Sequence, residues 1–122
     1  MELRLKNIHK QYEQKDILID INAHIKDKTD IAIIGPSGAG KSTLLRLLSK
    51  IEEPDSGDIF VNEHHLQDMD PSEYYKMIGF VFQQHTLFPH LSVLRNITLV
   101  LEEVHNIPKD KAHNITMEFL TR

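Results

Sequence analysis

The sequence predicts an α/β fold, with an N-terminal antiparallel β layer in front of a core of buried parallel strands and helices. Apolar residues at every second position in 3–5 and 17–25 are typical of strands with one buried face. The continuous apolar run at 31–34 ends at a glycine and is typical of a parallel strand buried on both faces. Beyond residue 92 the apolar residues recur at helical spacing. Together these three patterns predict the α/β fold class.

Local signals predict the elements of the first part of the chain. Leucines at helical spacing predict a helix from Lys41 to about Lys50. A turn at 54–57 leads into a short strand at 59–61. Asp70 is followed by a proline and, three residues after it, by an acid, a pattern that starts a short helix.

Residues 78–82 are predicted to form a second buried strand, and two amphipathic helices follow it. Ser92 caps the first of these helices, and the second begins after Pro108. Their apolar stripes are interpreted as packing faces. We therefore divide the chain into an α/β core with its β layer at 1–82 and the first part of a helical subdomain at 83–122.

Composition limits the class of protein. The 122 residues are 40% hydrophobic and 26% charged, which suits one globular domain. No apolar run approaches the roughly 20 residues of a membrane span, and the N-terminus lacks the apolar stretch of a signal peptide. Cysteine is absent, so neither disulfides nor thiolate chemistry is available. These features predict a cytoplasmic location.

Charge is distributed unevenly along the chain. Residues 1–50 carry nine Lys/Arg against six Asp/Glu, whereas residues 51–122 carry five against twelve. A locally positive first part favours a polyanionic small ligand. The net charge of −4 argues against a nucleic acid held along a basic stripe. We expect no nucleic-acid partner.

One loop carries the pattern G-x-x-x-x-G-K-[ST], after the apolar run and at the start of a helix. Its glycines let consecutive N–H groups point inward, and the helix N-terminus adds its positive dipole end, so the loop should hold phosphates. The lysine would reach the β and γ phosphates, the serine would coordinate Mg²⁺, and the following threonine would donate to a phosphate oxygen. The predicted phosphate-binding residues are Gly35, Pro36, Ser37, Gly38, Ala39, Gly40, Lys41, Ser42 and Thr43.

From residue 3 to about 120 the chain resembles the nucleotide-binding subunits of ABC transporters, especially the importer-type subunits for polar amino acids and similar solutes. Residues 35–46 resemble the extended Walker A motif of that family, a P-loop NTPase signature, and residues 53–59 resemble its turn into the next strand. Residues 78–84 are similar to its Q-loop, and 87–97 resemble the segment that follows the Q-loop in importers. Three ordered motifs at family spacing make the resemblance specific.

The resemblance implies roles for individual residues. Gln83 would be the Q-loop glutamine, which contacts Mg²⁺ and the attacking water and acts with Lys41 in catalysis; an amide suits this role because it both donates and accepts. Tyr12 would stack on the adenine ring. The structural alternatives are a glutamine that only caps backbone and a surface tyrosine. The strip from His85 to His90 resembles the groove that receives a permease helix, with an apolar contact from Leu87, Phe88 and Pro89.

The resemblance also implies the function and partners of the whole protein. It would bind ATP and Mg²⁺, dimerise with a second ATPase subunit, and drive a membrane permease from the inner face of the cell membrane. Residues 1–122 contain neither the signature motif nor Walker B, so this chain by itself is expected not to hydrolyse ATP at a useful rate. The alternatives are a non-transport ABC-type ATPase and a nucleotide-binding fragment without catalysis. The sequence does not specify the solute or the direction of transport.

Overall fold

The structure is a computed structural model that describes residues 2–84 and 87–122. The chain divides into two compact units, one extending to Pro71 and the other from Ser72 to Arg122. Within the described ranges, no helix has both the length and the apolar character needed to cross a membrane. The division predicted between residues 82 and 83, into core and helical subdomain, stays a prediction.

The first unit is built around a four-stranded antiparallel sheet in the order β2-β1-β3-β4. The predicted antiparallel layer, the helix after the glycine loop and the later helices are confirmed. The strands are β1 Glu2–Tyr12, β2 Lys15–Lys26, β3 Ser56–Val61 and β4 His64–His65. The helices are α1 Lys41–Leu48, α2 Pro71–Met77, α3 Val93–Glu103 and α4 Lys109–Leu120, with a short 3₁₀ turn at Leu66–Asp68.

The β1–β2 hairpin departs from the strict alternation that the sequence predicted. The register shifts in several places, and Asp20 takes a left-handed conformation with φ 49°. Asn7, at φ 49°, donates from its side chain to the Asp20 carboxylate at 2.7 Å. A register shift leaves one extra residue in a strand, and this reverses the face of the sheet that the side chains on one side of the shift occupy. As a result Leu18 is buried, whereas Ile19, predicted to face inward, is 62% exposed.

The core of the first unit lies between one face of this sheet and α1. Its buried side chains come from the three longer strands, from α1 and from the 3₁₀ turn. They are Leu3, Leu5, Ile8, Leu18, Leu47, Ile59 and Leu66. Burying an aliphatic side chain of this size stabilises a fold by about 1.5–3 kcal/mol relative to leaving it exposed. This core therefore supports the loop that leads into α1.

The two buried strands predicted at 31–34 and 78–82 are not formed. Both runs are irregular, and every strand pairing among the described residues is antiparallel. An apolar run becomes a strand only where a neighbour completes its backbone hydrogen bonds, and the described residues supply no such neighbour here. Ile34 and Val81 are each 92% exposed as a result.

Helix α1 ends in a Schellman motif with an unusual residue in the left-handed position. The Ile51 N–H donates to the Arg46 carbonyl and the Lys50 N–H to the Leu47 carbonyl, both at 3.1 Å. Lys50 has φ 57°, a conformation in which glycine is usual because it has no Cβ. Its ammonium donates to the carbonyl oxygens of residues 66 and 67 at 2.9 and 3.1 Å, and also to that of Met69. Lys50 therefore joins the end of α1 to the 3₁₀ turn.

The second unit contains the helix pair α3 and α4. Ser92 caps α3 as predicted, accepting the Arg95 N–H at 3.1 Å. The predicted apolar stripes are only partly buried, since Phe119 is 64% exposed. The fully covered residues of the two helices are the small ones, Thr98, Ala112 and Thr116. Small side chains allow the two helices to approach closely, and hydrophobic periodicity alone does not identify them.

Candidate functional site

The loop before α1 has the conformation that a phosphate-binding loop needs. Gly38 and Gly40 have φ 80° and 86°, where residues with a Cβ are strained. The Ala39 N–H donates to the Pro36 carbonyl at 3.3 Å and closes the turn. The first bond of α1 runs from the Leu44 N–H to the Gly40 carbonyl at 2.8 Å, and no side chain caps the helix at Gly40. The N–H groups of the first turn are therefore available to an anion.

Gly40 is also required by its surroundings. A Cβ at this position would lie 2.7 Å from Leu18 Cδ2 and 3.0 Å from the Ile17 carbonyl oxygen. To admit a Cβ, the end of the Leu18 side chain would have to move and the Ile17 carbonyl would have to give by a few tenths of an ångström. The glycine therefore lets the loop pass directly over the strand.

Lys41, the first residue of α1, folds back over the loop. Its Nζ donates to the Gly35 carbonyl at 2.8 Å and to the Pro36 carbonyl at 2.6 Å. These two bonds hold the ammonium at the start of the loop, on the side of the helix N-terminus. A fixed positive charge beside unbonded N–H groups suits a polyphosphate.

Ser42 and Gln83 are the two predicted contacts of Mg²⁺. Ser42 lies exposed in the first turn of α1, and Gln83 lies exposed in a bend of the second unit. A hydroxyl and an amide oxygen are both neutral oxygen donors of the kind that Mg²⁺ accepts beside phosphate oxygens. Each group by itself has suitable chemistry for the ion, and both assignments stay predictions.

Tyr12 ends β1, directly before the two-residue turn into β2. The residue is 37% exposed, and its hydroxyl donates to the carboxylate of Glu52. Partial burial, and then the Glu52 carboxylate, raise the pKa of Tyr12, while the neighbouring Thr43 hydroxyl acts in the opposite direction. The structure thus brings the predicted base-stacking residue beside Thr43 of the phosphate loop.

The predicted interface residues lie in the second unit. Leu87 and Phe88 are 64% and 51% exposed, and the Phe88 ring packs edge-on against His90 at 5.8 Å. His85, the first residue of the predicted strip, lies outside the described residues. Asn96 of α3 holds this loop by accepting the Phe88 N–H at 2.8 Å and donating to the Phe88 carbonyl at 3.1 Å.

Sequence reasoning missed Glu52 and Lys10 beside Tyr12 in the first unit, and Asn96 beside Phe88 in the second. Glu52 contacts Tyr12 only because β1 pairs with β3, which brings residues 40 positions apart together. Lys10 lies two positions before Tyr12 on the same strand. Asn96 sits four residues after the cap Ser92, and its amide also donates to the Ser92 carbonyl at 3.0 Å. The sequence does not distinguish Asn96 from the other polar residues of α3.

A glycine loop on a helix N-terminus, with a lysine folded over it, defines a P-loop protein. The particular family follows from comparison, since the sequence pattern of the ABC transporter family matches residues 18–121. The chain belongs to this family, in its nucleotide-binding domain.

The relatives are transport or import ATP-binding proteins with different solutes in their names. The chain is 38% identical to the glutamine transport ATP-binding protein GlnQ of Geobacillus stearothermophilus, over 94% of this chain and 48% of that protein. It is 40% identical to the oligosaccharides import ATP-binding protein MsmX of Bacillus subtilis, over 88% of this chain and 29% of that protein. It is 39% identical to the sulfate/thiosulfate import ATP-binding protein CysA of Synechocystis, over 99% of this chain and 33% of that protein. The chain thus spans half or less of the length of these relatives.

Solved structures show the same fold. The dimeric ATP-binding cassette MJ0796, in a post-hydrolysis state bound to ADP and Pi, matches with a TM-score of 0.83 and 32% identity. The match covers 98% of this chain and 56% of that one. It confirms the predicted fold class, although the parallel strands at 31–34 and 78–82 are not formed here.

Proposed function

We propose that this chain is the nucleotide-binding part of an ABC transporter subunit that binds ATP with Mg²⁺ and couples its hydrolysis to solute import. The observation that carries the proposal is the position of Lys41, whose ammonium lies over a loop that leads into an uncapped helix N-terminus. Polyphosphates are the ligands that this combination of a fixed cation and free N–H groups recognises. Family membership and a relative bound to ADP and Pi support the choice of nucleotide.

Each predicted residue then has a chemical task. The N–H groups of the loop would hold the phosphates, and Lys41 would neutralise charge on the β and γ groups. Ser42 and Gln83 would hold Mg²⁺, which supplies further charge neutralisation at the phosphates when bound. Tyr12 would stack on the base. Hydrolysis joins a water oxygen to the γ phosphorus and breaks the bond from that phosphorus to the oxygen bridging the β and γ groups, which releases ADP and phosphate. The water must be oriented, a task that suits the amide of Gln83.

The partners would be a second ATPase subunit and a membrane permease, which would place the subunit at the inner face of the cell membrane. The exposed apolar pair Leu87 and Phe88 supports a permease contact, because aromatic side chains are enriched at interface centres. The solute would be an amino acid or a similar polar molecule, as for GlnQ. The relatives named for sugars and sulfate are equally similar to the chain, so the solute needs its own experiment.

Calorimetric titration with ATP and Mg²⁺ tests nucleotide binding, with phosphate release assayed in the same samples. We expect wild-type binding and at least tenfold weaker binding by Lys41→Ala, since a hydrogen-bonded charge contributes about 1.5–3 kcal/mol. Lys76→Ala is the control, because it removes an exposed lysine of the second unit whose ammonium pairs with Glu73. Wild-type affinity in Lys41→Ala would refute the proposal. Binding without phosphate release would support a nucleotide-binding fragment.

Phe88→Ala tests the permease contact in cells that contain the full-length protein. We expect the variant to lose co-purification with membrane proteins that the wild type retains. Phe119→Ala is the matched control, because it removes an exposed aromatic ring from the same unit. Equal retention of membrane partners by both variants would argue against a contact through Phe88. Absence of membrane partners from the wild type would favour a non-transport ATPase.

A further inference from the structure

The Tyr12 ring is held in one orientation by a neighbour that no sequence motif identifies. Its hydroxyl donates to Glu52 Oε2, and the other oxygen of the same carboxylate lies 3.4 Å from Arg46 Nη1. Glu52 follows the Schellman turn, and Arg46 belongs to the last turn of α1. The carboxylate, which is mostly covered at 26% exposure, thus connects the end of β1 to the helix that carries the phosphate loop.

One face of the same ring is covered by a cation. Lys10 Nζ lies 5.5 Å from the centroid of the Tyr12 ring, within the range of a cation–π contact. The ammonium is held there by the Glu53 carbonyl at 2.8 Å and by the Asp55 carboxylate at 3.2 Å. A ligand base can therefore reach only the opposite face.

We propose that Glu52 is a positioning residue for nucleotide binding, which fixes the Tyr12 ring by its hydroxyl so that the base stacks on the face not covered by Lys10. The inference rests on the proposed function and adds a residue to it. A tyrosine side chain rotates about two bonds, and the Glu52 carboxylate restricts both before the ligand arrives. If the Tyr12 ring is not ordered beforehand, ordering it on binding weakens the affinity for ATP. The usual cost of ordering one side chain corresponds to about two- to tenfold weaker binding.

Comparison of ATP with inorganic triphosphate separates this role from a structural one, because triphosphate has no base to stack. Calorimetry on the whole chain would give both affinities for wild type, Glu52→Ala, Glu52→Gln and Tyr12→Phe. We expect Glu52→Ala and Tyr12→Phe to weaken ATP about two- to tenfold and to leave triphosphate unchanged. Glu52→Gln, which keeps an acceptor oxygen, should restore ATP affinity. The double variant Tyr12→Phe with Glu52→Ala should lose no more than either single variant.

Glu13→Ala is the matched control, because Glu13 is an exposed acid in the turn beside Tyr12. It should leave both affinities unchanged. An unchanged ratio of ATP to triphosphate affinity in both Glu52→Ala and Tyr12→Phe would overturn the inference, whether both ligands weaken equally or neither does. Tyr12→Phe keeps the test decisive if Glu52→Ala fails to fold. Failure of the wild type to bind ATP with Mg²⁺ would instead overturn the proposed function, and this inference with it.

Discussion

Replacing Lys50 tests two opposing effects at the end of helix α1. The residue is in a left-handed conformation, with φ 57°, which costs a residue with a Cβ about 1–2 kcal/mol relative to glycine. Its ammonium also donates to three carbonyl oxygens around the 3₁₀ turn. Lys50→Ala removes the ammonium and keeps the strain, whereas Lys50→Gly removes both.

The sizes of these two effects decide the order of the variants in free energy of unfolding. A hydrogen bond to a charged group contributes about 1.5–3 kcal/mol, and the partly buried carbonyls regain some hydration when the ammonium is lost. We therefore expect Lys50→Ala to lower the free energy of unfolding by about 2–4 kcal/mol. Lys50→Gly should lower it by about 1 kcal/mol less, because the strain disappears. Wild type should be most stable, Lys50→Gly intermediate and Lys50→Ala least stable.

Urea unfolding followed by far-UV circular dichroism measures this order. The midpoint should fall while the dependence on urea concentration stays constant, since the same surface is exposed on unfolding. Lys28→Ala, at an exposed residue outside the helices and strands, is the control for loss of one positive charge. A Lys50→Gly variant more stable than wild type would refute the reasoning, because strain would then outweigh the three carbonyl bonds.

Three further predictions follow from contacts described above. Gly40→Ala should abolish ATP binding and lower stability by more than 2 kcal/mol, measured by calorimetry and urea unfolding, because its Cβ would clash with Leu18 and would be strained at φ 86°; undiminished ATP binding would contradict this. Asn96→Ala should speed hydrogen exchange of the Phe88 amide at least tenfold, because it removes the acceptor of that N–H, and it should leave triphosphate affinity unchanged. Unchanged exchange would show that the loop around Phe88 does not depend on Asn96. The Asp55 carboxylate accepts a backbone N–H and a lysine ammonium, which lower its pKa below the ordinary 3.8. Asp55 therefore contributes its full stabilisation above about pH 4 and loses it as the pH falls through its lowered pKa in the folded state. The free energy of unfolding in urea should then depend less on pH in that acid range for Asp55→Asn than for the wild type. An equal pH dependence in both proteins would contradict the assignment.

Local signals in the sequence were enough to place most elements. The start of α3 was predictable from Ser92, and the phosphate loop from eight consecutive residues, because each depends on contacts within a few positions. The reversal of faces at Asp20 was not predictable, since it depends on a polar contact across the hairpin with Asn7, joined by one from Asn22 on the same strand. A pattern of apolar residues does not reveal a bulge that such a cluster stabilises.

The failed strands and the overlooked site residues share a physical cause. Residues 31–34 and 78–82 have the composition of buried strands, but a strand also needs a hydrogen-bonded neighbour, which composition does not supply. Glu52 likewise gains its contact with Tyr12 from strand pairing. The assigned roles of the loop residues and of Gln83 stay predictions until ligand binding is measured.

The close passage of Gly40 over β2 makes the hairpin and the phosphate loop energetically dependent on each other. The Leu18 side chain and the Ile17 carbonyl occupy the space where a Cβ would be, so the strand and the loop approach each other closely at this point. A ligand that orders the loop would therefore also suppress opening of the hairpin, and by reciprocity a change in the hairpin would alter ligand affinity. Variation in β2, far along the chain from the glycine motif, would then be a route by which evolution adjusts the nucleotide affinity of the protein without altering the motif itself.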